Sequence, residues 1–333
     1  MKLFKNKTFL AILALSLLYC LSYVFPFLKP FKESLLMYFG KIWWAVLLGF
    51  ILGGAIDHFV PREYISHILA RPNKRTILYA GLLGFLMSAC SHGILALSME
   101  LHKKGASNPA VVAFLLASPW ANLPITIMLI AFFGLVKALY IILSALIIAI
   151  TTGLIYQILE SKAIIETNKN TINLGKNFSI TKDLKERVSA YKISGSQLLT
   201  DLKGVYGGMM MLGNMVLWWI LIGMALASIV GAYVPQAIFH KYMGPTFIGM
   251  FATLALATVM EVCSEGTAPL AFEIYRQTAA VGNAFVFLMA GVVTDYTEIG
   301  LLWINVGKRV AIWLPIITVP QVILFGVIAN IIF

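Results

Sequence analysis

KIWWAVLLGFILGGAIDHFVP, residues 41–61, returns in altered form as VLWWILIGMALASIVGAYVP at 216–235. The pairs Trp43–Trp44 and Trp218–Trp219 align, as do Gly49 with Gly223 and Val60–Pro61 with Val234–Pro235. Further along, ACSHG (89–93) aligns with VCSEG (262–266), which sets Cys90 over Cys263, Ser91 over Ser264 and Gly93 over Gly266. All these offsets lie between 173 and 175 residues. Agreement at several places with one spacing is the mark of a duplicated unit.

The unit is a membrane one. Of 333 residues 60% are hydrophobic and 12% charged, and the mean hydropathy is +0.89, whereas soluble domains are about a quarter charged. Apolar runs fall at about 8–28, 35–56, 76–99, 110–133, 135–159, 205–232, 245–272, 284–305 and 310–333. Runs of about 20 residues cross a hydrocarbon core of roughly 30 Å, and in lipid only helices satisfy their own backbone in such segments. The net charge of +11 sits mostly between the apolar runs. It therefore reads as orientation by basic loops, not as a nucleic-acid surface. Cys20, Cys90 and Cys263 all lie in apolar runs with no CxxC pair, so no disulfide framework is expected. The first apolar run is too long for a signal peptide and no small-x-small site follows it, which makes it an anchor helix.

Nine plain crossings from an inner N-terminus would divide the Lys and Arg nearly evenly, 11 inside against 13 outside. If 76–99 and 245–272 instead dip in and return, 19 fall inside, and only Lys29, Lys32, Lys137, Lys241 and Arg276 stay outside. That bias favours two re-entrant segments. Each repeat then has three crossings; three is odd, so the copies insert with opposite orientation. The expected fold is an all-α polytopic membrane protein of two inverted repeats, each with an interrupted or re-entrant helix, plus an N-terminal anchor helix. The expected divisions are the anchor at 1–34, a first repeat at 35–159, a cytoplasmic linker at 160–204 rich in lysine, and a second repeat at 205–333.

The chemistry is expected at the two tips, ACSHG and VCSEG. Gly93 and Gly266 would permit a sharp turn at membrane depth, and Pro119 and Pro124 would break the neighbouring span around Trp120 and Asn122. The counterpart break, AGVVTDYTEIG (290–300), carries Asp295 and Glu298. A carboxylate within a membrane segment is a functional candidate by default. Glu265 at the second tip is the strongest, with Glu261 one turn before it and Asp295 nearby as further proton-coupling candidates. Bland readings stand beside these. A buried cysteine is commonly an apolar filler, His92 can simply bond a freed carbonyl, and Asp295 and Glu298 can lie near an interface.

The segments ACSHGILALSMELHKKGASNPAVVAFLLASPWAN (89–122) and EVCSEGTAPLAFEIYRQTAAVGNAFVFLMAGVVTD (261–295) carry a resemblance. The chain resembles the predicted permease family that includes bacterial efflux permeases for trivalent organoarsenicals. The KGAS and FLLASPWAN combination marks the family, not a substrate. Many members read Cys-Ser-Cys-Gly at the first tip, where this chain has His92. A two-thiolate site within one tip is therefore absent, and sulfur ligation would need Cys90 with Cys263. A borderline metal such as zinc or copper, suited to mixed imidazole and thiolate ligands, is the alternative.

The resulting expectation is a multi-pass inner-membrane permease, not an enzyme, that exports a thiophilic solute by a secondary, proton-coupled route. Cys90, Ser91, His92, Asn122, Cys263 and Ser264 would bind the solute; Glu265, Glu261 and Asp295 would couple it to protons. No cofactor is expected, no GxxxxGK[ST] signature appears, and no metal site is specified. The expected partners are a small-molecule or metalloid substrate and membrane lipid, with a homo-oligomer left open and nucleic acid excluded. A zinc or copper exporter, an intramembrane enzyme and an assembly protein are the rivals.

Overall fold

The computed structural model describes residues 7–59, 69, 74–83, 91–103, 105–121, 123–168, 195–260 and 264–333. Among them every regular element is helical. The helices are α1 (Lys7–Leu21), α2 (Lys29–Phe59), α3 (Lys74–Leu83), α4 (Ser91–Lys103), α5 (Asn108–Ala121), α6 (Leu123–Phe133) and α7 (Leu135–Ser161) in the first half. After the linker come α8 (Gly195–Tyr233), α9 (Gln236–Met243), α10 (Phe247–Val259), α11 (Ser264–Thr278), α12 (Val281–Val293), α13 (Tyr296–Asn305) and α14 (Lys308–Ile332). Among the described residues, four segments can cross a membrane by length and composition, or six if each bent pair counts as one span. The bent pairs are Asn108–Trp120 with Leu123–Phe133, at 47°, and Leu217–Tyr233 with Gln236–Met243, at 108°. At about 1.5 Å per residue, the 39 residues of α8 extend roughly 58 Å. That exceeds a bilayer with its headgroups.

The duplication is written into the element boundaries. Helices α3 and α10 begin at 74 and 247, α4 and α11 at 91 and 264, α5 and α12 at 108 and 281. Likewise α6 and α13 begin at 123 and 296, and α7 and α14 at 135 and 308. Each pair is 173 residues apart. The packing repeats with the same spacing. A Cβ on Gly153 would meet Ile77, Ala113 and the Pro109 carbonyl; a Cβ on Gly326 would meet Met250, Val286 and the Gly282 carbonyl. All four residues of one contact map onto the other by adding 173. Membrane helices lack a hydrophobic drive toward each other, so such small residues at close crossings supply the attraction.

Paired helices run in opposite directions. The Tyr156 hydroxyl of α7 donates to the Val310 carbonyl of α14 at 2.6 Å, and Tyr140 donates to Phe325 at 2.7 Å. For α2 and α8, His58 bonds Asp201 at 3.0 Å near one end, and Tyr233 donates to the Phe27 carbonyl at 2.8 Å near the other. These contacts define two ends of the bundle. At the linker end, Asn168 donates to the carbonyls of His102 (2.7 Å) and Ala106 (2.8 Å). Asn108 there donates to the Glu166 carbonyl at 2.5 Å. The Glu166 carboxylate accepts from the backbone amides of Arg309 and Val310 at 3.1 and 3.3 Å, where a helix N-terminus favours negative charge. At the far end, Gly282 N–H donates to Asn330 at 2.6 Å and Asn283 to the Gly244 carbonyl at 3.0 Å.

The hairpin α3–α4 starts beside Gly153 and Pro109 and finishes at the His102–Asn108 turn, so both its termini lie toward the linker end. The hairpin α10–α11 starts beside Gly326 and Gly282 and finishes where Gln236 donates to the Gln277 carbonyl, toward the far end. Each returns to the end from which it set out. The cations follow. Arg75, Lys103, Lys162, Lys203, Lys308 and Arg309 stand on elements toward the linker end, whereas Lys29, Lys32, Lys137, Lys241 and Arg276 stand toward the far end.

Candidate functional site

In the second half, the ends of four helices converge between the two faces. The Thr258 hydroxyl at the end of α10 lies 2.7 Å from that of Thr294, just past α12. A Cβ on Gly291 would lie 3.8 Å from Thr267 in the first turn of α11. Around this junction Ser264, Glu265, Thr267, Asp295 and Glu298 are all buried, Glu265 to 1% exposure and Glu298 to 2%. Ser264 donates to the Glu265 carboxylate at 3.0 Å, and Thr267 donates to the Ser264 carbonyl at 2.9 Å.

The local sequence explains why three carboxylates tolerate this place. Glu265 is in the first turn of α11 and Glu298 in the first turn of α13. Asp295 directly precedes α13, and its carbonyl accepts the Ile299 amide at 3.0 Å. Acidic groups at helix N-termini meet unpaired N–H groups and the positive end of the dipole, and Asp-x-x-Glu has the spacing of a capping box. The position of Asp295 before α13 suits a cap. Capping does not require the complete burial of Glu265 beside the second tip.

The first-half junction is built differently. Pro119 lies inside α5 and Pro124 in the first turn of α6, and the two axes meet at 47°. The Pro124 backbone lies against Gly49 of α2, where a Cβ would come within 2.6 Å. Trp120, in the last turn of α5, is 1% exposed, and its indole N–H finds no partner among the described residues. The Thr126 hydroxyl of α6 is likewise buried and unbonded among the described residues. This junction offers neutral donors where the other offers carboxylates.

The halves exchange contacts here. Helix α4 packs on α13, and α11 packs on α6, so each tip helix reaches the broken span of the opposite copy. Gly266 is the third residue of α11 and lies within the helix, so it does not form the turn. Its carbonyl presses on α8 at Gly223, where a Cβ would sit 2.0 Å away. Close approach is thus what this glycine supplies.

Of the residues singled out from sequence, Cys90, Asn122, Glu261 and Cys263 lie outside the described residues. Ser91, His92 and Gly93 open α4, and their side chains also lie outside the description. Ser264, Glu265 and Asp295 are described and buried. Among the described residues no group of three or more His, Cys, Asp or Glu could hold a metal ion.

Sequence reasoning missed Glu273. This carboxylate is completely buried and accepts from the Tyr38 hydroxyl, from Arg276 Nε (2.8 Å) and Nη2 (2.6 Å), and from Gln277 (2.7 Å). Gly231 of α8 makes room for it, since a Cβ there would lie 2.7 Å from its Oε1. Toward the far end, therefore, one carboxylate ties α2, α8 and α11 together. The signal was present in the repeat: Glu100 and Lys103 precede Glu273 and Arg276 by 173 residues. Tyr38, which is 235 residues from Glu273, gave no such sign.

Antiparallel helices, apolar segments long enough to cross a membrane, and buried carboxylates at helix ends describe an all-α polytopic membrane protein. The predicted permease family matches residues 31–331, and the chain belongs to that family. It is also similar to UPF0718 protein YcgR of Bacillus subtilis (strain 168), with 38% identity over 77 residues. That match spans 23% of this chain and 26% of the relative. No solved structure matches the chain.

Proposed function

We propose that this permease exports a thiophilic solute, a trivalent organoarsenical foremost, across the inner cell membrane by a secondary, proton-coupled mechanism. The observation that carries the reading is Glu265, wholly buried in the first turn of a tip helix, one residue from Ser264 and two from Cys263. A buried carboxylate beside a solute site can exchange charge for a proton as the site fills and empties. Cys90 and Cys263 supply soft ligands from the two tips, aided by Ser91, His92, Asn122 and Ser264. Glu261 and Asp295 are the secondary proton carriers.

The architecture suits the task. We read the two halves as inverted repeats, because paired helices are antiparallel and the hairpins open toward opposite ends. Alternating access follows when one repeat rocks against the other about a fixed centre. The positive-inside tendency makes the linker end cytoplasmic. On this reading 1–34 is an anchor outside the transport unit, 35–159 and 205–333 are the repeats, and 160–204 is their linker.

Everted vesicles given methylarsenite, zinc or copper in turn provide the test. Proton-dependent uptake of methylarsenite, lost in both Cys90→Ser and Cys263→Ser, is the expected result. Uptake of zinc or copper alone would transfer the reading to a metal exporter, and uptake of none would end it.

A further inference from the structure

Outside the two repeats, α1 leans on α8 and is joined to α2 by the short turn Pro26–Leu28. Between the three helices runs a groove of about 450 Å³, lined by Ile12 and Tyr19 of α1, Leu36 and Phe39 of α2, and Leu217 and Met224 of α8. From Ile12 to Tyr19 the groove wall rises about 10 Å at 1.5 Å per residue, ending toward the far face. Its walls are apolar apart from Ser16 and the mouth, where the Tyr19 hydroxyl lies 3.0 Å from that of Tyr23.

A cation caps the mouth. Lys32 Nζ lies 3.7 Å from the centre of the Tyr23 ring and 5.6 Å from that of Tyr19, and Lys29 opens the same helix one turn earlier. Among the described residues neither lysine pairs with a carboxylate, although Glu33 stands next to Lys32 in the chain. Tyrosine and lysine in this combination characterise the level of lipid headgroups. The groove below them points down into the hydrocarbon, where a tail lies naturally.

We propose that this groove binds one anionic phospholipid, with an acyl chain along α1, α2 and α8 and the phosphate held by Lys32 and Lys29. The lysines supply the missing countercharge, and the phenol hydroxyls supply donors to the phosphate oxygens. The bound lipid fills the seam between α1 and the family core, which begins at residue 31. The site lies on the α1 side of α8, and its test does not depend on a substrate.

Native mass spectrometry of the full chain in mild detergent, titrated with phosphatidylglycerol or with phosphatidylcholine of the same chains, reads the site directly. The wild type is expected to retain phosphatidylglycerol at least tenfold better. The double variant Lys29→Gln and Lys32→Gln should lose that preference while still binding either lipid weakly. Leu36→Trp, which fills the groove, should reduce both. Circular dichroism of each variant checks that the fold persists, and Lys137→Gln, a far-end lysine on α7, is the control with unchanged preference. Equal retention of the two lipids by the wild type would overturn the proposal. So would a preference unaltered in the double variant, or a dimer cross-linked through Cys20, which lines the groove; that last result would assign the surface to a second copy.

Discussion

The two junctions have one scaffold and two chemistries. In the first half a proline-broken span bends by 47° and leaves an indole N–H and a hydroxyl without partners among the described residues. In the second, Val281–Asn305 passes as one span of 25 residues, and the buried Asp295 and Glu298 follow directly on the Thr294 that pairs with Thr258. Duplication preserved the helix starts to the residue and let the centres diverge. Packing geometry and site chemistry are therefore separable: the first is fixed by where small residues let backbones touch, the second by which side chains occupy the helix ends.

The sharpest way to break this contrast is at the far-end carboxylate. Glu273→Ala leaves Arg276, Tyr38 and Gln277 without their common acceptor, and loss of one partner from a buried charged network costs about 3–5 kcal/mol. Thermal unfolding in detergent should show the largest drop of any single change here. Tyr38→Phe, which removes one neutral donor, should cost only about 1–2 kcal/mol. Equal losses would mean that Glu273 is not the hub.

Next comes the second-half junction. Glu265→Gln keeps shape and hydrogen bonding but removes the titratable proton, and about a 100-fold fall in proton-driven uptake is expected, ~2.7 kcal/mol in the barrier. Counterflow exchange without a proton gradient should survive. Trp120→Phe in the first half should lower uptake less, by about tenfold, and leave unfolding unchanged or slightly raised, because the lost N–H has no partner among the described residues. If Trp120→Phe matches Glu265→Gln, the two centres are not chemically distinct.

The repeat itself can be sharpened with paired glycines. Gly153→Ala and Gly326→Ala each place a Cβ 2.6 Å from a neighbouring side-chain carbon. Overpacking of this kind costs about 1–3 kcal/mol, and the two losses should agree within about 0.5 kcal/mol. The smallest effect concerns Glu166. Partial burial pushes its carboxyl up, but its own amide, the Arg309 and Val310 amides and the Arg309 charge outweigh that and hold it below the ordinary carboxylate range. A lowered folded-state value means the stabilisation is present above the unfolded carboxyl range and disappears as pH falls through the lowered one. Glu166→Gln should thus destabilise by ~0.5 kcal/mol near neutrality, and the gap to wild type should close in acid.

Much of this fold was legible in the chain because its signals are local. Apolar length gave the spans, and the 173-residue echo of Cys-Ser gave the duplication. Pro119 and Pro124 marked a break that the structure places between Ala121 and Leu123. Gly266 was misread in role, since a helical glycine under a crossing backbone has the same letter as one in a turn. The Tyr38–Glu273 bond and the Thr258–Thr294 pair stayed hidden, because which helix faces which is set by three-dimensional packing.

The matched glycine crossings have a consequence for biogenesis. Because each copy is packed internally through the same contacts, at Gly153 in the first half and Gly326 in the second, that packing cannot tell the insertion machinery which way up either copy belongs. That decision falls to electrostatics, to the lysines of the linker above all. Transplanting those charges to the opposite loops should invert the molecule in the membrane while leaving its interior helix contacts intact.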